Sequence, residues 1–292
     1  MDEAVDIKTT THIRVERISY WVFTAIIVLE TAAGAQWDLA RNPTVVRVFN
    51  HLGYPLYLLA IIGIWKIPGA VVLLIPKFSQ LKEWAYAGIF FIYTTATVSA
   101  FLKGDNASIW GPFTFAVIAL ASYYLRPASR RLGLNQHSSS KQQKQNTKNK
   151  KLNTISYWAT VVILGYVLIS GGIGEILHLW GTLGTITRLG YPMYFLAIIG
   201  IWKILGGITI IIPGFPRLKE WAYAGIVFNM TGASLSHAAC HDYGPYAFHI
   251  IAPLIIAVIA IASWALRPAN RRFQFSGPKF IFFSMQKNER KN

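Results

Sequence analysis

Two lysines stand where a charge is expensive. Lys66 and Lys203 each close an apolar run, YPLYLLAIIGIWK and YPMYFLAIIGIWK, and fall near the middle of a stretch long enough to cross a bilayer. An ionised lysine at that depth costs about 2.5–3.5 kcal/mol on insertion scales, so something must compensate for it. One answer is chemical: the ammonium donates to a quinone carbonyl or a bound anion, with Trp65 or Trp202 beside it as an apolar wall. The other is structural, in which the lysine bonds helix carbonyls or a carboxylate inside the protein, or snorkels to the interface. Glu30 lies at a similar depth to Lys66 and offers a partner. Its counterpart beside Lys203 is Val167, so that pairing cannot serve both lysines.

A second constellation gathers late in the chain. Glu175 and His178 are three apart and His237 and His241 four apart, so each pair shares a helix face. Glu-x-x-His facing two histidines is acceptable ligand chemistry for zinc, iron or copper. Cys240, Asp242 and His249 lie close by in sequence. The matching positions of the earlier half are Asp38, Arg41, Ala100 and Gly104, which cannot ligate in the same way, so any such site is single. Structural histidines at helix ends are the favoured reading, ahead of a proton-active or quinone head-group role and of a metal ion. Cys240 is the only cysteine, which excludes an intrachain disulfide and a Cys-x-x-Cys motif. No nucleophile with a base and an orienting group is legible.

The elements that carry these residues come from a duplication. Tyr54 to Lys66 returns as Tyr191 to Lys203, LKEWAYAGI at Leu81 returns unchanged at Leu218, and Ser19-Tyr20-Trp21 returns as Ser156-Tyr157-Trp158, all displaced by 137 positions. A period this long is a duplicated domain, not a solenoid. With 53% hydrophobic and 14% charged residues in 292, the chain is too apolar for an ordinary soluble protein. Each copy offers four runs of roughly 20 apolar residues, the length that crosses a bilayer. They are 18–37, 54–75, 84–102 and 109–125, then 155–177, 191–212, 221–239 and 246–266.

The net charge of +16 reports topology. Of 28 Lys and Arg, 22 fall before the first run, at alternate turns, between the copies and after the last run, whereas the other loops hold only Arg41, Arg47, Lys103 and Arg188. That asymmetry is the positive-inside pattern: it puts both termini and the central linker in the cytoplasm and removes the case for a nucleic-acid partner. Four spans per copy is an even number, so the copies share one orientation. Residues 127–153 read as a basic, flexible linker, and residues 268–292 as a basic tail whose Phe280 to Phe283 can lie on an anionic leaflet or remain disordered. Lys82-Glu83-Trp84 and Lys219-Glu220-Trp221 open helices, with the glutamates expected to meet the positive helix end. Glycines 63, 69 and 88 and their partners 200, 206 and 225 suit close helix contacts in lipid.

LGYP opening a helix, a mid-helix WK, the helix-ending Pro76 and Pro213, and then LKEWAYAG together resemble the DoxX-like family of small four-helix bacterial membrane proteins. Each copy matches one whole unit, and the second extends the likeness through GASLSH at Gly232 and SWALRP at Ser263. The resemblance implies an all-α membrane protein of eight transmembrane helices in two parallel-oriented four-helix bundles, 18–126 and 154–267, packed as a pseudo-dimer after a cytoplasmic segment 1–17. It also implies the bacterial inner membrane, the lipid bilayer and a membrane or redox protein as partners, and association with quinone-linked redox systems. Relatives that assist receptor assembly keep a chaperone or scaffold role open, and a small-solute transporter is a further alternative.

Overall fold

The structure, a computed structural model, describes residues 2–127, 130, 131, 147–268 and 271, with side chains from 14 onward in the first stretch and from 152 onward in the third. Most of the expected linker and the tail segment Phe280 to Phe283 lie outside the described residues. The described chain is helical: α1 (Asp2–Leu39), α2 (Pro43–Leu52), α3 (Tyr57–Leu74), α4 (Ser79–Leu102), α5 (Asn106–Tyr124), α6 (Thr147–Ile176), α7 (Thr182–Arg188), α8 (Tyr194–Ile211), α9 (Pro216–Ala239) and α10 (Phe248–Leu266). Helices α3 and α8, and α4 and α9, begin and end at the same displacement of 137. The turn before α4 and α9 is also kept, with Phe78 (φ 48°) and Phe215 (φ 49°) both in the left-handed region.

Seven of the helices are long and apolar enough to cross a membrane. The expected eighth span, 221–239, falls in α9, which has the same 24 residues as α4 but is not among the seven. The cause is its outer half, NMTGASLSHAA, where Ser234, Ser236 and His237 are buried against protein. A helix whose polar residues face protein meets no lipid penalty for them. The short helices α2 and α7 were not expected from apolar runs, because neither is long enough to register as a span.

Each copy packs in the same pattern: α1 on α3 and α5, and α4 on α3 and α5, repeated as α6 on α8 and α10, and α9 on α8 and α10. The copies meet through α4 and α9, with smaller contacts of α3 with α9 and α4 with α8. The contacts between copies are reciprocal. Tyr57 donates to the Leu189 carbonyl and Tyr194 to the Leu52 carbonyl, both at 2.7 Å. A methyl on Gly88 would sit 3.0 Å from Phe228, and one on Gly225 the same distance from Phe91. Trp221 packs on the core of the first copy (Ile27, Leu73, Tyr86, Ile89) and Trp84 on that of the second (Leu164, Ile210, Tyr223, Ile226).

Within the second copy, α6 and α8 approach backbone to backbone. A methyl on Gly172 would lie 2.6 Å from the Gly200 carbonyl oxygen, and one on Gly200 would lie 2.8 Å from that of Gly172. Neither carbonyl can rotate away from its helix. Gly172→Ala is therefore expected to cost about 1–3 kcal/mol by overpacking. Gly206→Ala, which meets open space, is expected to gain up to about 1 kcal/mol from helix propensity. Opposite shifts of the unfolding midpoint of the two variants are the check.

Candidate functional site

The buried lysines are answered by carboxylates. Lys66 Nζ donates to Asp38 Oδ2 at 2.7 Å, and Lys203 Nζ donates to Glu175 Oε1. Asp38 and Glu175 are displaced by the same 137 positions as the lysines, so one solution serves both copies with an aspartate in one and a glutamate in the other. The side chains of the first pair are 11% and 6% exposed. Glu30 does not take this role: it makes no ion pair or hydrogen bond with a described residue, and its Oε2 is buried without a partner. Trp65 and Trp202 each have a ring partner beyond their own copy, Trp65 against Phe228 (5.1 Å between ring centroids) and Trp202 against Phe91 (4.9 Å).

Where α3 turns into α4, a second polar set is fully enclosed. Lys82 Nζ donates to the carbonyls of Val72 and Ile75, and Lys219 Nζ to those of Thr209 and Ile212 (both 2.5 Å). Each lysine thus satisfies the last carbonyls of the preceding helix, which have no intrahelical donor. Arg130 reaches Leu73 and Leu74, and Arg271 reaches Ile210 and Ile211, for the same purpose. Glu83 and Glu220 do not meet their own helix ends as expected. Glu83 accepts from Arg126 (2.8 Å), Tyr123 (2.9 Å) and Trp221 of the other copy (3.2 Å); Glu220 accepts from Arg267 and Trp264, both at 2.7 Å. The reason is proximity: a guanidinium held beside the carboxylate outweighs the partial charge of a helix terminus.

At the opposite end lies the histidine cluster. His237 Nδ1 and Asp242 Oδ2 are 2.5 Å apart, and Arg188 donates to the same oxygen at 2.8 Å. The His237 ring stacks on His249 (5.2 Å), which faces Tyr246. In the first copy the corresponding contact is simpler, His51 Nε2 with Asp105 Oδ2 at 3.2 Å. Asp105 also caps α5, and the hydrogen bonds it accepts from Ser108 hold its carboxyl below the ordinary aspartate range. The hydroxyls of Tyr54 and Tyr191 pair with those of Ser99 (2.7 Å) and Ser236 (2.8 Å).

The four metal candidates are not brought together as ligands. Glu175 is bound to Lys203 and His237 to Asp242, while His178 sits in the left-handed turn after α6 (φ 57°) and His241 packs by Tyr243. Among the described residues no group of three or more His, Cys, Asp or Glu could hold a metal ion. Cys240 is a free thiol whose Sγ lies 3.9 Å from the Arg188 carbonyl.

Residues 22–122 and again 159–263 match the DoxX-like family. The chain belongs to the DoxX-like family. The two matches fall on the two copies, so this DoxX-like protein is a tandem duplication of one family unit. It is an integral membrane protein whose apolar helices contact lipid. No curated protein and no solved structure matches it.

Proposed function

We propose that this DoxX-like protein is an accessory subunit of a membrane redox assembly and acts as a rigid scaffold. One observation carries the reading. In both copies the buried basic side chains of the shared set, Lys66, Lys82 and Arg126 and then Lys203, Lys219 and Arg267, end on carboxylates or helix carbonyls of the same copy. Charge used in this way fixes helix position and leaves the outer surface for a partner.

The architecture that fits this role has eight spans in two parallel four-helix bundles, 18–126 and 154–267, joined by a linker at 127–153 and flanked by segments 1–17 and 268–292. The eighth span is α9, whose 24 residues cover about 36 Å at 1.5 Å per residue. The reciprocal tyrosine and Gly–Phe contacts support a pseudo-dimer within one chain. The charge asymmetry supports cytoplasmic termini, and the family resemblance supports a bacterial inner membrane.

A second reading keeps Lys66 and Lys203, with Trp65 and Trp202, as a quinone or anion site. It is favoured by each ammonium making one hydrogen bond to a described residue and so keeping two N–H groups in reserve. Mass spectrometry of the gently purified chain tests both. A bound redox-complex subunit without quinone supports the scaffold, and quinone that is lost in Lys203→Ala supports the second reading. Neither partner nor quinone, with membrane redox activity unchanged on deletion of the gene, removes both.

A further inference from the structure

The two copies differ inside. Of the buried side-chain oxygens left without a partner among the described residues, Glu30 Oε2, Thr31 Oγ1 and Tyr93 OH lie in the first copy, and Glu175 Oε2, whose sister oxygen holds Lys203, lies in the second. The matching residues of the second copy are Val167, Leu168 and Met230, each apolar. Buried polar atoms are nearly always satisfied, so an orphan signals a missing water, ion or ligand. Three orphans that disappear together in the sister copy point to one shared occupant rather than three separate defects.

Their positions agree with that. Thr24 Oγ1 and Tyr86 OH both bond Ser122 Oγ, at 2.8 and 2.7 Å, which puts α1 and α4 in register at that level. Consecutive packed helices alternate in direction, so α1 and α4 run the same way. Thr31 and Tyr93 each follow those partners by seven residues, about 10.5 Å further along both helices. Thr31 is 1% exposed and Tyr93 7%. Tyr93 shares its core with Ile27 and Val28, about one turn before Thr31 on α1.

Charge supplies the rest. Glu30, Gly34 and Asp38 are spaced by four and lie on one face of α1. A methyl on Gly34 would lie 2.9 Å from Lys66 Nζ and 3.6 Å from Glu30 Oε1, so the ammonium rides over the bare Cα with Glu30 one turn to one side and Asp38 one turn to the other. The counterpart Gly171 has nothing within 4 Å. In ionised form the first copy holds two carboxylates for one ammonium, whereas the second holds one for one. No charge from α5 (Asn106–Tyr124) or from the outer half of α4 offsets the excess, and Tyr93 is the titratable group that α4 brings.

We propose that the first copy contains a binding site for one small monovalent cation, a proton or a sodium ion, at Glu30, with the hydroxyl oxygens of Thr31 and Tyr93 as its remaining polar wall. The site supplies the one positive charge the cluster lacks; a sodium ion meets all three orphaned oxygens, whereas a proton on Glu30 donates to one of the two hydroxyls. The site is independent of the scaffold reading, which rests on contacts common to both copies.

The full chain in lipid nanodiscs is treated with dicyclohexylcarbodiimide, an apolar carboxyl reagent, and the adduct is located by mass spectrometry. Modification is expected at Glu30 and not at Glu175. Sodium at ten times its dissociation constant slows the reaction about tenfold if sodium is the occupant. A rate that ignores sodium and is lost only above neutral pH identifies a held proton, and either result supports the site; a rate lost through the ordinary carboxylate range, as for any free carboxyl, overturns it. Absence of the adduct, or a rate indifferent to both, overturns it. A second readout uses the triple variant Glu30→Val, Thr31→Leu, Tyr93→Met, which borrows residues the second copy already accommodates. Its unfolding midpoint is expected to lose the sodium or pH dependence that the parent chain shows; an identical dependence in both overturns the proposal.

Discussion

Glu220→Ala is expected to destabilise the folded chain by about 3–5 kcal/mol, the cost of stranding one member of a buried ion pair. The side chains of Arg267 and Glu220 are 2% and 1% exposed, so water cannot replace the lost carboxylate. Trp264 Nε1 loses its acceptor in the same step. The guanidinium also lies 5.2 Å from the Tyr223 ring and 5.5 Å from that of Trp264, contacts that hold it in place without neutralising it. Glu83→Ala is expected to match this loss and to add a weaker junction between the copies, because Trp221 reaches across to Glu83. The midpoint of detergent-induced unfolding, followed by tryptophan fluorescence, reads both. A midpoint within error of the parent chain for Glu220→Ala would mean that Arg267 had found another partner, and the enclosed network would not be what fixes that end.

Much of this arrangement was legible in the sequence. The duplication, the helical spans and the need to compensate Lys66 and Lys203 follow from apolar run lengths and the cost of charge in lipid. The compensating partner was missed because matching residues by identity hides an aspartate opposite a glutamate. Asp38 and Glu175 were in view only as positions of a metal site, although their constant separation of 28 from the lysines carried the signal. The arginine partners of Glu83 and Glu220 were hidden by a change of register. Four extra residues lie between the end of α9 and the matching serine and arginine of α10, so Ser122 and Arg126 correspond to Ser263 and Arg267 at 141 positions, not 137. Trp65 and Trp202 faced the opposite copy because a helix in a paired arrangement has two protein-facing sides, and hydropathy does not say which neighbour covers which. The interior difference at Glu30, Thr31 and Tyr93 was present letter by letter, but only burial revealed that those oxygens are left without partners.

Lys203→Met is expected to cost about 3–5 kcal/mol, because it leaves the Glu175 carboxylate enclosed without its ammonium. Adding Glu175→Leu is expected to recover most of that loss, ending anywhere from neutral to about 1–4 kcal/mol more stable than the parent, since apolar residues of similar volume avoid the desolvation cost altogether. The double-mutant cycle separates two roles for the lysine. A strut is dispensable once its partner is removed with it, so folding, and any association with a redox partner, should both return in the double variant. A ligand-holding lysine is not: stability should return while quinone retention does not. Glu175 lies where α6 and α8 approach through Gly172 and Gly200, so the added leucine must fit a tight crossing; a methyl on Gly200 would already sit 3.4 Å from Glu175 Cβ. Glu175→Gln with Lys203→Met keeps the native side-chain lengths and controls for this. If neither double variant recovers stability, the pair is coupled to further groups at that crossing and does not act as an isolated strut.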